Sequence, residues 1–558
     1  MKKIFYSMLS VVLVLSLLSK VLPLTSAAEL KPVLTVSFSG YSELMSDIEA
    51  FGKLSGRPEL AKLLEGMLAM VTQGKGLAGL DQKQPLGAVV LSDGSAEFTS
   101  YAFLPVSDLA QLMDLMKNPM TGESPKVEDG VYEIQLGMES VYATQRGNWA
   151  YVAQKKEILA DAAADPTAFL GDLPKNYLLA VRANVKNIPE SVMQTGLASM
   201  QAIMQMSMQR NPGESDAAFD ARTAMMKQNI DQIERLSKEL DELTLGINLD
   251  RQTNSSYLDV ELIAKPGTNL AAQLAATKPG KTDFAGLKIP GAAVTANGTT
   301  TISDEDVARA KSSLDAIRAS AQEELKNQEL TKEQLELAAG VLNELFEVVE
   351  KSIELKKTDY GLAVVLEPSA VTLVAGSIVA DGAKLEGVLQ KLLAAAEKDD
   401  PDVAKFIKLN ADTYKDIRFN TFSMPTPEQK LVPLVGDTLD VVLGISDKKV
   451  FVAAGRDAAK TLKEVIDRSQ TEAGKEIPSS QLVLSGLKIA KFASAVADDE
   501  QIKSTADKMA ATLEQSGGKD HVTIVTKPVK NGTRVRLEVE EGILKAAGAI
   551  GPEMGMGQ

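Results

Sequence analysis

The chain has 558 residues, 44% hydrophobic and 24% charged, a balance that excludes a disordered polypeptide and is enough for more than one buried core. It carries 60 Lys and Arg against 75 Asp and Glu, a net charge of −15 at pH 7, which works against binding to nucleic acid or anionic lipid surfaces. With no Cys and one His, Cys–His catalysis and multi-His metal sites are excluded, and 4% aromatic content argues against a sugar-stacking surface.

The first residues, Met1-Lys2-Lys3, precede an apolar run over 11–18, then Pro23 and Ser26-Ala27-Ala28. That is the pattern of a secretory signal peptide cut after Ala28. The run is shorter than the ~20 residues of a spanning helix, and Lys20 interrupts it. The expectation is a periplasmic or secreted protein that begins at Glu29 and has no stable membrane insertion once residues 1–28 are removed. Without Cys, its stability outside the cytoplasm rests on buried apolar surface.

After Ala28, a strand is predicted over 33–38 and a helical region over 41–71. Strands over 86–91 and 96–104 flank Ser92-Asp93-Gly94-Ser95, a hairpin signal. Ser107 or Asp108 caps a helix with Leu109, Leu112, Met113 and Met116 inside. Strands over 141–144 and 150–153, a helix from Lys156, a strand over 177–181, a long helical region and a hairpin over 243–263 complete this stretch. The same order recurs later: strands over 360–366 and 371–379, a helix capped by Asp381, strands over 440–443 and 450–453, a helix from Asp457, a strand over 482–485, helices, and a hairpin over 522–539. Asp108 falls opposite Asp381, Tyr151 opposite Phe451, and Asn254 opposite Asn531-Gly532. The matches lie at offsets of roughly 270–300 residues, a spacing read as duplication.

The predicted fold class is therefore α+β: two similar modules, each a mainly antiparallel meandering sheet with helices packed on one face. The expected division is a signal peptide over 1–28, module 1 over 29–276, a Lys-, Pro- and Gly-rich linker over 277–291, module 2 over 292–547, and a flexible tail over 548–558. In this order of elements the chain resembles large secreted bacterial proteins of unknown function built from two α+β halves. The resemblance implies a fold and no activity.

His521, the only histidine, opens the last predicted hairpin, and no G-x-S-x-G elbow offers it a serine. A surface turn is the expectation for it. Gly74, Gly76 and Gly79 match G-x-G-x-x-G only superficially, because no strand precedes them; a loop is predicted. Acid pairs such as Asp399-Asp400 and Asp498-Asp499 sit at helix ends, where they cap. No catalytic, cofactor-binding or metal site is predicted, and no cofactor. The one unusual constellation is Met193, Leu197, Met200 and Met204, one face of a helix, with Met206, Met208, Met225 and Met226 near in sequence. Such a stripe suits an apolar ligand or partner, although core packing gives the same pattern. Two charged helices, over 231–242 and 323–351, can pair with other helices.

The functional expectation is an extracytoplasmic, non-enzymatic binding or scaffold protein, its partner a protein or an apolar ligand. The alternatives are a carrier holding an apolar ligand on Met-lined helix faces, and an envelope hydrolase using only carboxylates.

Overall fold

Short apolar stretches bounded by Gly, Asn and Asp become strands in the computed structural model, and the longer periodic stretches become helices. The structure describes residues 30–554 apart from 73, 117–123, 137–138, 208, 211–213, 215, 329, 400–401 and 403–404. The leader expected over 1–28, the expected first residue Glu29 and the acid Asp400 lie outside the described residues.

The chain runs β1 (Lys31–Phe38), α1 (Tyr41–Leu54), α2 (Leu60–Val71), β2 (Leu86–Ser92), β3 (Phe98–Pro105) and α3 (Leu109–Met113). Then come β4 (Lys126–Glu128), β5 (Val131–Leu136), β6 (Glu139–Arg146), β7 (Trp149–Ala153) and β8 (Leu179–Asn184). α4 (Glu190–Ser207), α5 (Asp216–Glu239), β9 (Leu240–Asp250), β10 (Ser255–Ala264) and α6 (Asn269–Ala276) follow. Next are β11 (Gly280–Lys281), β12 (Val294–Thr301), α7 (Asp304–Lys326), α8 (Lys332–Ile353), β13 (Lys357–Glu367) and β14 (Ala370–Ile378). α9 (Gly382–Asp399), β15 (Ile407–Tyr414), β16 (Ile417–Pro425), β17 (Thr438–Ile445), β18 (Lys449–Gly455) and α10 (Ala458–Thr471) continue it. The last are β19 (Glu476–Ile477), β20 (Gln481–Ser485), α11 (Gly486–Val496), α12 (Glu500–Glu514), β21 (His521–Val529), β22 (Gly532–Val539) and α13 (Glu541–Met554). Among the described residues two compact units result: 30–200 with 237–265 and 538–554, and 201–236 with 266–537.

In the first unit the strands pair antiparallel in the order β4-β5-β6-β7-β3-β2-β1-β8-β9-β10. β2, β3 and β7 are apolar on both sides, so both faces need cover. On one face Val36, Ala88, Ala102, Ala143 and Val152 pack with Leu109, Leu112 and Met113 of α3. On the other, Val89, Leu91, Tyr101, Phe103 and Tyr151 pack with Leu159 and Leu170, from helical turns at Lys156–Asp161 and Thr167–Leu170. This corrects the expectation of helices on one face only. Asp108 caps α3, accepting from the N–H groups of Ala110 at 2.9 Å and Gln111 at 3.3 Å. Gly79 lies against that cap with φ +87°, where a Cβ would stand 2.2 Å from the Asp108 carbonyl oxygen. The Gly74–Gly79 stretch is thus the loop the sequence predicts, and its last glycine serves a close backbone approach.

In the second unit the order is β15-β16-β17-β18-β14-β13-β12-β20-β21, again antiparallel. One face buries Val374, Phe419, Val442 and Phe451 with Leu462, Val465 and Ile466 of α10, and with Phe284 and Leu287. Those last two come from the stretch expected as a linker. Residues 277–291 hold β11, paired with β19, and a 3-10 turn at Ala285–Leu287. Phe284 meets Phe451 at a ring-centroid distance of 5.3 Å. Thr282 Oγ1 and the Asp283 N–H donate to the buried carboxylate of Asp359 at 2.6 and 3.0 Å. The chain passes between the two units at 200/201, 236/237, 265/266 and 537/538. The expected loose tail is helical from Gly548 to Met554, and a Cβ on Gly548 would stand 2.4 Å from Ser55 Cβ.

The charged region over 323–351 is two helices rather than one. Thr331 starts α8 with a capping box: its hydroxyl accepts from the Gln334 N–H at 3.3 Å, and Gln334 Oε1 accepts from the Thr331 N–H at 2.9 Å. α8 pairs with α9 through Glu344–Lys391, Glu347–Lys384 and Glu333–Lys398. Among the described residues no helix is long and apolar enough to cross a membrane.

Candidate functional site

Met193, Leu197, Met200 and Met204 lie on one side of α4, and all four are half-buried, while Gln194, Thr195 and Ser199 are exposed. Ile203 adds an exposed aliphatic side chain. The side chains of Met206, Met208 and Met225 lie outside the described residues; Met226 is half-buried.

His521 is the first residue of β21, opposite Ser485 of β20. Its Nδ1 stands 3.6 Å from Asp520 Oδ1. Ser485 Oγ donates to Asp520 Oδ2 at 2.6 Å, and the Leu487 N–H donates to the same oxygen at 3.0 Å. In a Ser-His-Asp triad the imidazole stands between acid and hydroxyl. Here the acid stands between them, and Ser485 Oγ also accepts from the Lys488 N–H at 3.3 Å. The cluster caps α11. Asp499 likewise caps α12 through the N–H groups of Gln501 and Ile502. Among the described residues no group of three or more His, Asp or Glu side chains could hold a metal ion.

The arrangement that stands out is one the sequence reading did not single out. In the first unit a row of cross-strand partners runs Val260–Leu245–Val181–Val36–Ala88–Ala102–Val152–Ala143. The end from Val36 to Ala143 is buried with α3. At the other end Leu245 is 44% exposed, Ile247 46% and Leu258 36%. Leu243, Leu249, Val260 and Leu262 beside them are half-buried.

The opposite face of β9 shows why the exposure matters. Thr244 and Gly246 are buried there, with the Tyr177 ring where a Gly246 Cβ would stand 2.4 Å away. Tyr177 OH bonds the fully buried Asp259 at 3.1 Å, and Arg182 Nε donates to Thr244 Oγ1 at 3.2 Å. The polar side of β9 faces inward and its aliphatic side faces outward, the reverse of ordinary patterning. The exposed side chains on this face are aliphatic: Leu245, Ile247 and Leu258.

The second unit has a similar row, Ile524–Leu482–Ala296–Leu362–Ala375–Val452–Leu443. Every member is half-buried, whereas the alternate residues Ala363, Val374, Phe451, Ala453 and Val442 are buried. A signal for the exposed face of the first unit exists in the sequence. Leu243, Leu245, Ile247 and Leu249 alternate along β9, and Leu258, Val260 and Leu262 along β10. Alternation does not say which side of a strand meets solvent.

No protein-family model matches the chain, no curated protein matches it, and no solved structure matches it.

Proposed function

We propose that the chain is an exported, non-enzymatic binding protein built from two copies of one module, and that it holds an aliphatic ligand on the sheet face left uncovered in the first unit. The observation that carries the reading is the inverted patterning of β9. Leu245 and Ile247 are exposed on one face while Thr244 and Gly246 are buried on the other. A strand stabilised only by its own core gains by burying its leucines, so their exposure points to a ligand. Aliphatic side chains make up nearly all of this face, which favours an alkyl chain over a flat aromatic molecule. Export is supported by the Lys2-Lys3, apolar and Ser26-Ala27-Ala28 pattern.

Duplication is supported by the strand order. β4-β5-β6-β7-β3-β2-β1-β8-β9 and β15-β16-β17-β18-β14-β13-β12-β20-β21 can be set against each other. With β7 set on β18, Val152 meets Val452 in the two apolar rows, and Tyr151 meets Phe451, each buried on the opposite face.

Titration with a fluorescent fatty-acid analogue tests the ligand assignment. The wild type is expected to bind saturably, and Leu245→Arg to keep its unfolding midpoint while losing the signal. A wild type without saturable binding contradicts the proposal, as does undiminished binding by Leu245→Arg.

A further inference from the structure

A second site, independent of the sheet face, lies wholly in the second unit. The loop over 288–292, the stretch just after α10, and β12, β20 and β21 line an open cleft of ≈ 430 Å³, within the size range of small-molecule sites. Its charged lining is mainly cationic: Lys288 and Lys475 accompany a single carboxylate, Glu472, and the imidazole of His521 completes the polar lining. Lys475 holds Glu472 at 3.3 Å. Lys288 has no ion pair among the described residues.

Thr295 supplies a separate observation. It lines the cleft, is only 7% exposed, and its hydroxyl makes no hydrogen bond among the described residues. The residue is buried while its hydroxyl oxygen keeps solvent access, so the hydroxyl is free to donate to a ligand oxygen in the cleft. Val483 on the neighbouring strand contributes an apolar wall.

We propose that this cleft binds a small molecule through an anionic oxygen group, a phosphate or a carboxylate. Lys288 and Lys475 meet its charge, and Thr295 donates a hydrogen bond to it. Because His521 is the only histidine in the chain, its imidazole Cε1–H gives a single proton resonance that reports directly on the cleft. The full chain is titrated at constant pH and ionic strength with inorganic phosphate and, separately, with succinate.

A saturable shift with at least one of the two is expected, and which one produces it identifies the anion class. Lys288→Ala should weaken that binding about tenfold or more, the effect of losing a charge-assisted contact. Thr295→Val should weaken it several-fold and Thr295→Ser should restore it. Lys288 is exposed, so Lys288→Ala keeps the fold and stays informative even where Thr295→Val does not. The proposal is overturned by the absence of a saturable shift with both anions up to about 10 mM, by an equal shift with sodium chloride alone, or by unchanged affinity in Lys288→Ala.

Discussion

At the residue scale the clearest consequences come from two buried carboxylates. Asp47 of α1 is almost fully buried, with Arg251 Nε 3.3 Å from its Oδ1 but outside hydrogen-bond geometry. Burial pushes its carboxyl up to about 6, against the lowering effect of Arg251 and with a further rise from Glu43. The folded state thus holds the Asp47 proton more tightly than the unfolded chain, whose value is near 3.8. Its favourable contribution is complete below that value and is lost as pH rises through about 6. At neutral pH the ionised group is a liability. With the effect reduced by solvent screening, Asp47→Asn should raise stability by about 1–2 kcal/mol at pH 7.5 and bring little change at pH 3.5. Denaturant unfolding at the two pH values checks this, and a loss of stability at pH 7.5 contradicts it. Asp359 differs in having both carboxylate oxygens hydrogen-bonded. It is fully buried and accepts from Thr282, the Asp283 N–H and Lys357 Nζ. Asp359→Ala leaves those donors without their acceptor and should cost about 3–5 kcal/mol in the same measurement. The sequence shows neither behaviour, because the deciding partners are far along the chain: Arg251 for Asp47, and Thr282 and Asp283 for Asp359.

At the element scale, strands, hairpins and the caps at Asp108 and Asp381 are legible in the sequence, because alternation and cap chemistry are local signals. The break between α7 and α8 is equally local yet escapes a reading by periodicity: Thr331 and Gln334 form the capping box within a run of charges that reads as one helix. Thr331→Ala should lower stability by about 1 kcal/mol, measured by thermal unfolding, and no loss would mean that tertiary contacts alone set that helix start. The stretch over 277–291 misleads for a different reason. Lys, Pro and Gly are abundant in linkers, yet the aromatic ring of Phe284 and the Asp359 contacts fix this one in a core. The Met stripe of α4 is legible as one side of a helix, but periodicity gives no depth of burial, and Met193, Leu197, Met200 and Met204 are only half-buried.

At the scale of the whole molecule, the order of elements is readable and the exposed aliphatic face proposed to bind a ligand is not. Ten strands of the first unit and nine of the second pair antiparallel in one run each, and much of each run follows from hairpins whose turns are visible in the sequence. Which face of β9 meets solvent is decided by Tyr177, which comes from a turn before β8 and occupies the space over Gly246. The most direct test of an aliphatic ligand on that face is photo-crosslinking with a fatty acid carrying a diazirine in its alkyl chain, followed by peptide mass spectrometry. Adducts are expected to concentrate on β9 and β10, around Leu245, Ile247 and Leu258, and to be displaced by unlabelled fatty acid. Adducts scattered over the surface, or confined to α4 around Met193 and Met200, would contradict the assignment.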